Sequence, residues 1–276
     1  MLLHLSDLHF GVEHNTVVDA LAALCRTLPL EAIAISGDLT QRARHREFLA
    51  FHHFMQGLGV PWLVVPGNHD IPLYHLPRRV FNPFGHYEHV FGPVEQTLDT
   101  PHFHLVGVNS IHPKHHTRGR LTASQILETG ARLRAGAAGK HRLILSHQPF
   151  RVLRPEQLRD VPSLVLPAVK HWADCGLDAV LHGHFHVPVV LPLQHHFGLS
   201  KEVLDIQAGT AISHRLRHDT ANSVNIIHAD LRVERFDYSF AHSRFESVQQ
   251  LWPIAHTAHD AANHHRHLAT AHPTHL

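Results

Sequence analysis

The chain has 276 residues, 43% of them apolar, and a formal net charge of +1. These values fit one large globular domain and exclude a disordered or fibrous chain. The balance leaves no overall nucleic-acid footprint. The longest apolar stretches, about eight residues, fall well short of the ~20 that span a bilayer as a helix. The two cysteines, Cys25 and Cys175, sit in helix-like segments and read as small buried residues, not as a disulfide framework or a thiolate metal site.

In chain order, Leu2–Leu5 is an apolar run that leads to Asp7-Leu8-His9, and Thr16–Leu28 carries helical spacing at Val17, Leu21, Leu24 and Leu28. Ala32–Ser36 reads as a buried strand ending at Gly37-Asp38. Ala43–Leu58 reads as a helix with Phe48, Phe51, Met55 and Leu58 on one side, and Trp62–Val65 as a strand ending before Gly67-Asn68-His69-Asp70. This βαβαβ order predicts parallel strands joined by right-handed crossovers. Residues 71–100, rich in Pro, His and aromatics, are expected to form a long loop with one helical turn that caps or rims a site.

Strand patterns resume at Phe103–Ser110, Leu143–Ser146 and Ala179–Leu181, separated by helices expected over Thr122–Ala135 and Leu164–Cys175. Thr122 and Gln125 give the first of these a capping-box start. After His186 come strand-like runs without intervening helices: Val187–Leu193, Glu202–Ala208, Ser223–Ala229 and Leu231–Phe240. They predict a second, more antiparallel sheet packed on the first. The expected domain is 1–250. Residues 251–276, Ala- and Thr-rich with seven histidines from His256 to His275, read as a disordered tail with at most adventitious metal affinity.

The chain holds 34 histidines. The count itself is a poor guide, because only His9, His69, His147, His184 and His186 fall within ligand-like motifs at strand ends, where open α/β sheets present their sites. In an extended segment, residues i and i+2 point to one side, so Asp7 and His9 could reach one ion, as could His184 and His186. Gly183 would let the backbone turn sharply before that second pair. Asp38 offers two carboxylate oxygens that could bridge two ions about 3.5–4 Å apart. Asn68 adds an amide oxygen and His147 an imidazole. Such a pair activates water near neutral pH, neutralises phosphoryl oxygens and orients an ester for in-line attack. His69 is the candidate acid for the leaving oxygen, with Asp70 as the carboxylate that holds it. Because Asp7 belongs to the site, removal of an N-terminal leader would destroy it; the expectation is a cytoplasmic protein.

The series D-x-H, G-D, G-N-H-D, H and G-H-x-H resembles the calcineurin-like metallophosphoesterase superfamily over roughly residues 1–240. Gly37-Asp38-Leu39-Thr40-Gln41, Gly67-Asn68-His69-Asp70-Ile71-Pro72 and Ala208-Gly209-Thr210-Ala211 look most like its bacterial class III cyclic-nucleotide phosphodiesterases. The resemblance implies an αββα sandwich of two mixed sheets with helices on both outer faces. It implies Asp7, His9 and His186 on one metal, Asn68, His147 and His184 on the other, Asp38 between them, and His69 as catalytic histidine. Protein phosphatases of this superfamily carry G-D-x-x-D-R-G and G-N-H-E. Gln41-Arg42-Ala43 and Asp70 stand in their place here and disfavour that activity.

The leading expectation is therefore a phosphodiesterase that cleaves a cyclic or other small nucleotide by attack of a metal-bound hydroxide. Mn²⁺ or Fe are the first choices for the two sites and Zn²⁺ the alternative. A phosphodiesterase, monoesterase or pyrophosphatase acting on a glycerophospho-, nucleotide-lipid or DNA substrate is the alternative enzyme reading, and a catalytically silent scaffold the third. Asn109 could approach the site from a neighbouring strand or simply make a turn. Arg215 and Arg217 could clamp a phosphate or lie on the surface. Neither the substrate nor a homo-oligomeric state is written in the motifs.

Overall fold

A computed structural model describes residues 1–253 apart from 116, 218 and 219; the His-rich segment from 254 onward lies outside the described residues. Strands β1 (Leu2–Leu5), β2 (Ala32–Ile35) and β3 (Trp62–Val64) run parallel. Helices α1 (Asn15–Thr27) and α2 (His45–Leu58) make the crossovers, as the alternation predicts. α2 starts two residues later than its apolar pattern suggests. Ala43 takes a left-handed conformation, and the Glu47 carboxylate accepts from the amides of Arg42 (2.9 Å) and Arg44 (3.3 Å), which fixes the first turn.

The segment expected to be mostly loop contains α3 (Leu76–Phe81) and α4 (Gly85–Phe91), then β4 (Thr97–Asp99). Both helices are too short to register as a periodic pattern. α3 has proline in its first turn, and the His75 ring accepts the Arg78 amide at 3.2 Å. α4 is held by Tyr87 and Phe91, which meet Phe48, Phe51 and Trp62 in edge-on contacts.

Next come β5 (Phe103–Gly107), α5 (Ala123–Ala135), β6 (His141–Leu145), α6 (Val165–Asp174), β7 (Leu177–His182), β8 (Val189–Pro192), the one-turn α7 (Gln194–Phe197) and β9 (Leu204–Gln207). A 3₁₀ turn over Pro155–Asp160 interrupts the loop before α6. The capping box of α5 forms as expected: the Gln125 amide donates to Thr122 Oγ1 at 3.2 Å, and the Thr122 amide to Gln125 Oε1 at 3.0 Å. The chain closes with β10 (Ser223–Ile227), β11 (Val233–Ser239) and β12 (Arg244–Trp252).

Two six-stranded mixed sheets result, ordered β12-β11-β10-β1-β2-β3 and β4-β5-β6-β7-β9-β8. This corrects the expected division of strands. The antiparallel strands after residue 222 do not build the second sheet; β10 pairs with β1 and extends the first. The second sheet is built mainly of the parallel strands β5, β6, β7 and β9. Leu251 and Trp252, assigned to the tail by composition, complete β12.

Period-two alternation explains the layering. On β1 and β2, Leu3, Leu5, Ile33 and Ile35 pack under α1 and α2, while Leu2, Ala32 and Ala34 face the other sheet. On the second sheet, Ile144 and Val180 pack under α5 and α6. Leu143, Leu145, Ala179 and Leu181 point back to the interface. The order of layers is therefore helix, sheet, sheet, helix. Cys25 and Cys175 are free and buried in the two outer layers. No helix among the described residues is long and apolar enough to cross a membrane.

Candidate metal centre

The carboxyl ends of β1, β2, β3, β6 and β7 converge on one spot between the sheets. Asp7, His9, Asp38 and Asn68 arrive from the first sheet, and His147, His184 and His186 from the second. All are buried. Two donor groups form there. In one, Asp7, His9 and His186 gather their ligand atoms within 4.8 Å of one another, with Asp7 Oδ1 3.2 Å from His186 Nε2 and 3.7 Å from His9 Nε2. In the other, Asn68 Oδ1 lies 3.0 Å from both His147 Nε2 and His184 Nδ1, which are 3.3 Å apart. Asp38 stands between the groups. Its Oδ2 faces His9 Nε2 at 3.8 Å and its Oδ1 faces His147 Nε2 at 3.4 Å.

The backbone that does this is not the extended one assumed from the i, i+2 spacing. Asp7, His9, Asp38, His184 and His186 all have positive φ, between 49° and 73°. This left-handed region is costly for residues with a Cβ and concentrates at functional sites. Each side chain is aimed by a bend after its strand has ended. Gly183 is required for closeness and not for its own φ: a Cβ there would collide with the Ser6 hydroxyl and the Asp7 carboxylate. At Gly67 a Cβ would collide with the backbone and carboxylate of Asp38.

Hydrogen bonds orient the rings. His147 Nδ1 donates to the Ser36 carbonyl at 2.8 Å and His186 Nδ1 pairs with Thr210 Oγ1 at 2.6 Å, so in both rings Nε2 is the atom turned toward the cluster. His184 is turned the other way. Its Nδ1 faces Asn68, and its Nε2 lies 3.8 Å from the buried Asp160 carboxylate. Asp160 sits in the 3₁₀ turn, in a stretch of sequence without any ligand-like pattern, and sequence reasoning missed it.

The donor set suits divalent cations. Burial alone would raise the carboxyls of Asp7 and Asp38, but the imidazoles around them outweigh it and hold both below the ordinary range. Burial pushes His9 down to about 3 and also lowers His184 and His186, so these rings keep their lone pairs. For His147, burial is outweighed by Asp38 and Asp7, and its affinity for a proton rises. The negative field that would hold a cation thus also favours a proton on that ring, and the two compete. Asp7 Oδ1 and both nitrogens of His9 are buried without a hydrogen-bond partner. Polar atoms so placed cost free energy unless something engages them.

His69 lies beside the cluster, half-buried. Its amide donates to Asp38 Oδ1 at 2.8 Å, its Nδ1 is 3.0 Å from the Gln41 carbonyl, and Arg215 Nη1 lies 2.9 Å from its Nε2. Asp70 does not do what its position beside His69 suggests. Its carboxylate accepts from the amides of Gly67 (2.8 Å), Leu39 (3.0 Å) and Thr40 (2.9 Å) and from the Thr40 hydroxyl (2.8 Å), and so ties together the loops after β2 and β3. Burial and the nearby Asp38 carboxylate push it up to about 7 even so.

Asn109 is not brought to the site. Its side chain accepts the Ile111 amide at 3.0 Å, which makes it a turn residue. Arg215 and Arg217 do reach it. They line a cavity of about 390 Å³ over the cluster, together with Thr117, Gln157, Asp160 and Phe185.

A two-sheet sandwich that gathers Asp, Asn and His at strand ends defines a metallophosphoesterase. The family model described as calcineurin-like phosphoesterase matches residues 1–188, and the chain belongs to that family. Its members use a dinuclear metal centre. No curated protein matches the sequence. Among solved structures, the fold is similar to a purple acid phosphatase from yellow lupin seeds (TM-score 0.62, 10% identity, 85% of this chain and 48% of that one). It is also similar to a dimetal phosphatase from Danio rerio (TM-score 0.58, 12% identity, 85% of this chain and 94% of that one). The chain spans about half the length of the lupin enzyme. At these identities the likeness concerns the fold.

Proposed function

We propose that this chain is a phosphodiesterase for a cyclic or other small nucleotide, dependent on two divalent ions. Asp7, His9 and His186 would hold one ion, Asn68, His147 and His184 the other, and Asp38 both. The observation that carries this reading is the position of Asp38, whose two oxygens face two separate donor groups. Two ions so held would supply an activated water and neutralise the phosphoryl oxygens. The protein's own part is orientation and proton transfer. His69 presents a ring nitrogen at the open side of the cluster and gives a proton to the departing alcohol oxygen. The Gln41 carbonyl fixes the ring through Nδ1. Arg215, beside Nε2, offers the charge that a phosphodiester anion needs.

The test is a panel of 3′,5′-cyclic AMP, 2′,3′-cyclic AMP and bis(p-nitrophenyl) phosphate with Mn²⁺, Zn²⁺ or Fe²⁺ added. Turnover of a cyclic nucleotide supports the reading, and the absence of diester hydrolysis under every metal would sink it. A nucleotide-lipid substrate is the second reading. It is favoured by the exposure of Tyr74, Leu76, Val80 and Phe81 along the rim, 66–86% accessible. A preference for an acylated diester over a cyclic nucleotide would select it.

A further inference from the structure

Two clefts meet at Asn68 and His69 and share no other lining residue among the described ones. The larger, about 390 Å³, contains the candidate ligands Asp38, His184 and His186 and is rich in charge, with Glu156, Arg159, Asp160, Arg215 and Arg217. The smaller, about 140 Å³, is lined by Gln41, Arg42, Ile71, Leu73 and Tyr74. Its character differs. Ile71 and Leu73 are apolar, Arg42 is its only charge among the described residues, and the Arg42 guanidinium lies 5.8 Å from the centre of the Tyr74 ring. An arginine and a tyrosine so paired present flat surfaces on which another planar group stacks. The volume is close to the ~150 Å³ of an engineered cavity that binds benzene.

A phosphodiester carries two alcohol arms, and in-line displacement places the attacking water and the leaving oxygen on opposite sides of phosphorus. With the water activated among Asp38, His184 and His186, the leaving arm must point away from them and past His69. The small cleft is the space that begins at His69 and holds none of those three residues. We infer that this cleft receives the leaving alcohol and selects one with a flat, largely apolar part, such as a nucleoside held by its base or a phenol, while the charged cleft takes the retained arm. This inference rests on the phosphodiesterase reading above. As the water oxygen bonds to phosphorus, the bond to the leaving oxygen breaks, and that oxygen keeps the electron pair and takes a proton by way of His69. One water is consumed; an acyclic diester gives an alcohol and a monoester, and a cyclic one a single monoester that still carries the freed hydroxyl.

The experiment compares bis(p-nitrophenyl) phosphate with methyl p-nitrophenyl phosphate, which lose the same leaving group but retain different arms. Tyr74 is 76% exposed, so its replacement leaves the core intact. Tyr74→Ala is expected to raise KM about tenfold, and equally, for both substrates, and Tyr74→Phe to restore both. A loss confined to bis(p-nitrophenyl) phosphate would assign the cleft to the retained arm and overturn the inference, as would no change in either. Failure of the unaltered protein to hydrolyse either aryl diester while it turns over a cyclic nucleotide would also overturn the inference, and failure on every diester would instead overturn the phosphodiesterase reading on which it stands.

Discussion

The floor of the site and its rim are built on different terms. The floor is buried, strained and cross-linked between the sheets. Candidate ligands take positive φ, the His184 amide donates to Asp7 Oδ2 at 3.1 Å, and His147 reaches across to the Ser36 carbonyl. The rim comes from the loop and short helices over 71–91 and the loops around 111–115, 117–120, 148–164 and 213–217, and it leaves Tyr74 and Phe81 largely exposed. It is not slack, because Arg79 donates to the carbonyls of Pro72, Pro113 and His115 at 2.6–3.1 Å and ties two of these loops together. The difference teaches where each property resides. The floor sets which bond can be broken, and the rim sets which molecule brings it.

If that division is right, changes in the floor should damage every substrate alike. Asp38→Ala has the largest expected effect: it removes the carboxylate shared by both donor groups. Diester turnover should fall by about three orders of magnitude, with loss of metal from both sites by elemental analysis. Turnover within tenfold of the unaltered protein would break the account. His69→Ala comes next and sharpens it. A p-nitrophenolate leaves readily without a proton and an alkoxide does not, so the loss should reach about 10²–10⁴ for a cyclic nucleotide and be much smaller for bis(p-nitrophenyl) phosphate. Equal losses on both substrates would remove His69 from the acid role and leave it as a phosphate-binding group.

Asp160→Asn probes the boundary between the two regions. The residue belongs to a rim loop, yet its carboxylate lies beside Nε2 of His184. Metal retention against a chelator should weaken about tenfold and be restored in part by Asp160→Glu. Unchanged retention would return Asp160 to the rim.

The smallest effect concerns the buried polar layer beneath the floor. His4, fully buried against Ser36, is pushed down to about 3 by burial, with His182 adding to the shift. The folded protein refuses a proton that the unfolded chain accepts below about 6.5. The stability gained from keeping this ring neutral is present above that pH and is lost as pH falls from 6.5 toward 3. His4→Asn should therefore reduce the destabilisation between pH 7 and pH 5, by at most ~1.4 kcal/mol per pH unit, in urea unfolding curves. An identical pH dependence in both proteins would contradict this.

The same division decides what could be read in advance. Floor residues were legible because ligand chemistry restricts them to Asp, His and Asn next to glycines at strand ends, a pattern that survives without any knowledge of the backbone. The geometry behind the pattern was not legible. Asp7 and His9 meet through left-handed bends and not through strand alternation. Asp70 follows His69 in sequence but turns back to Gly67, Leu39 and Thr40. The partnering of β10 with β1 depends on contacts more than 200 residues apart, as in Leu2 opposite Ile227, which no local pattern encodes. α3 and α4 were hidden by their length, and α3 also by the proline in its first turn. Asp160 and Tyr74 were hidden because single residues in irregular segments acquire meaning only from what lies across the cleft.

The central claim is that Asp38 joins two ions, and electron paramagnetic resonance of the protein titrated with Mn²⁺ tests it directly. The account predicts binding of two equivalents and an exchange-coupled signal from a pair about 3.5–4 Å apart, lost in Asp38→Ala. Saturation at one equivalent, or two equivalents giving only the signal of isolated ions, would contradict it.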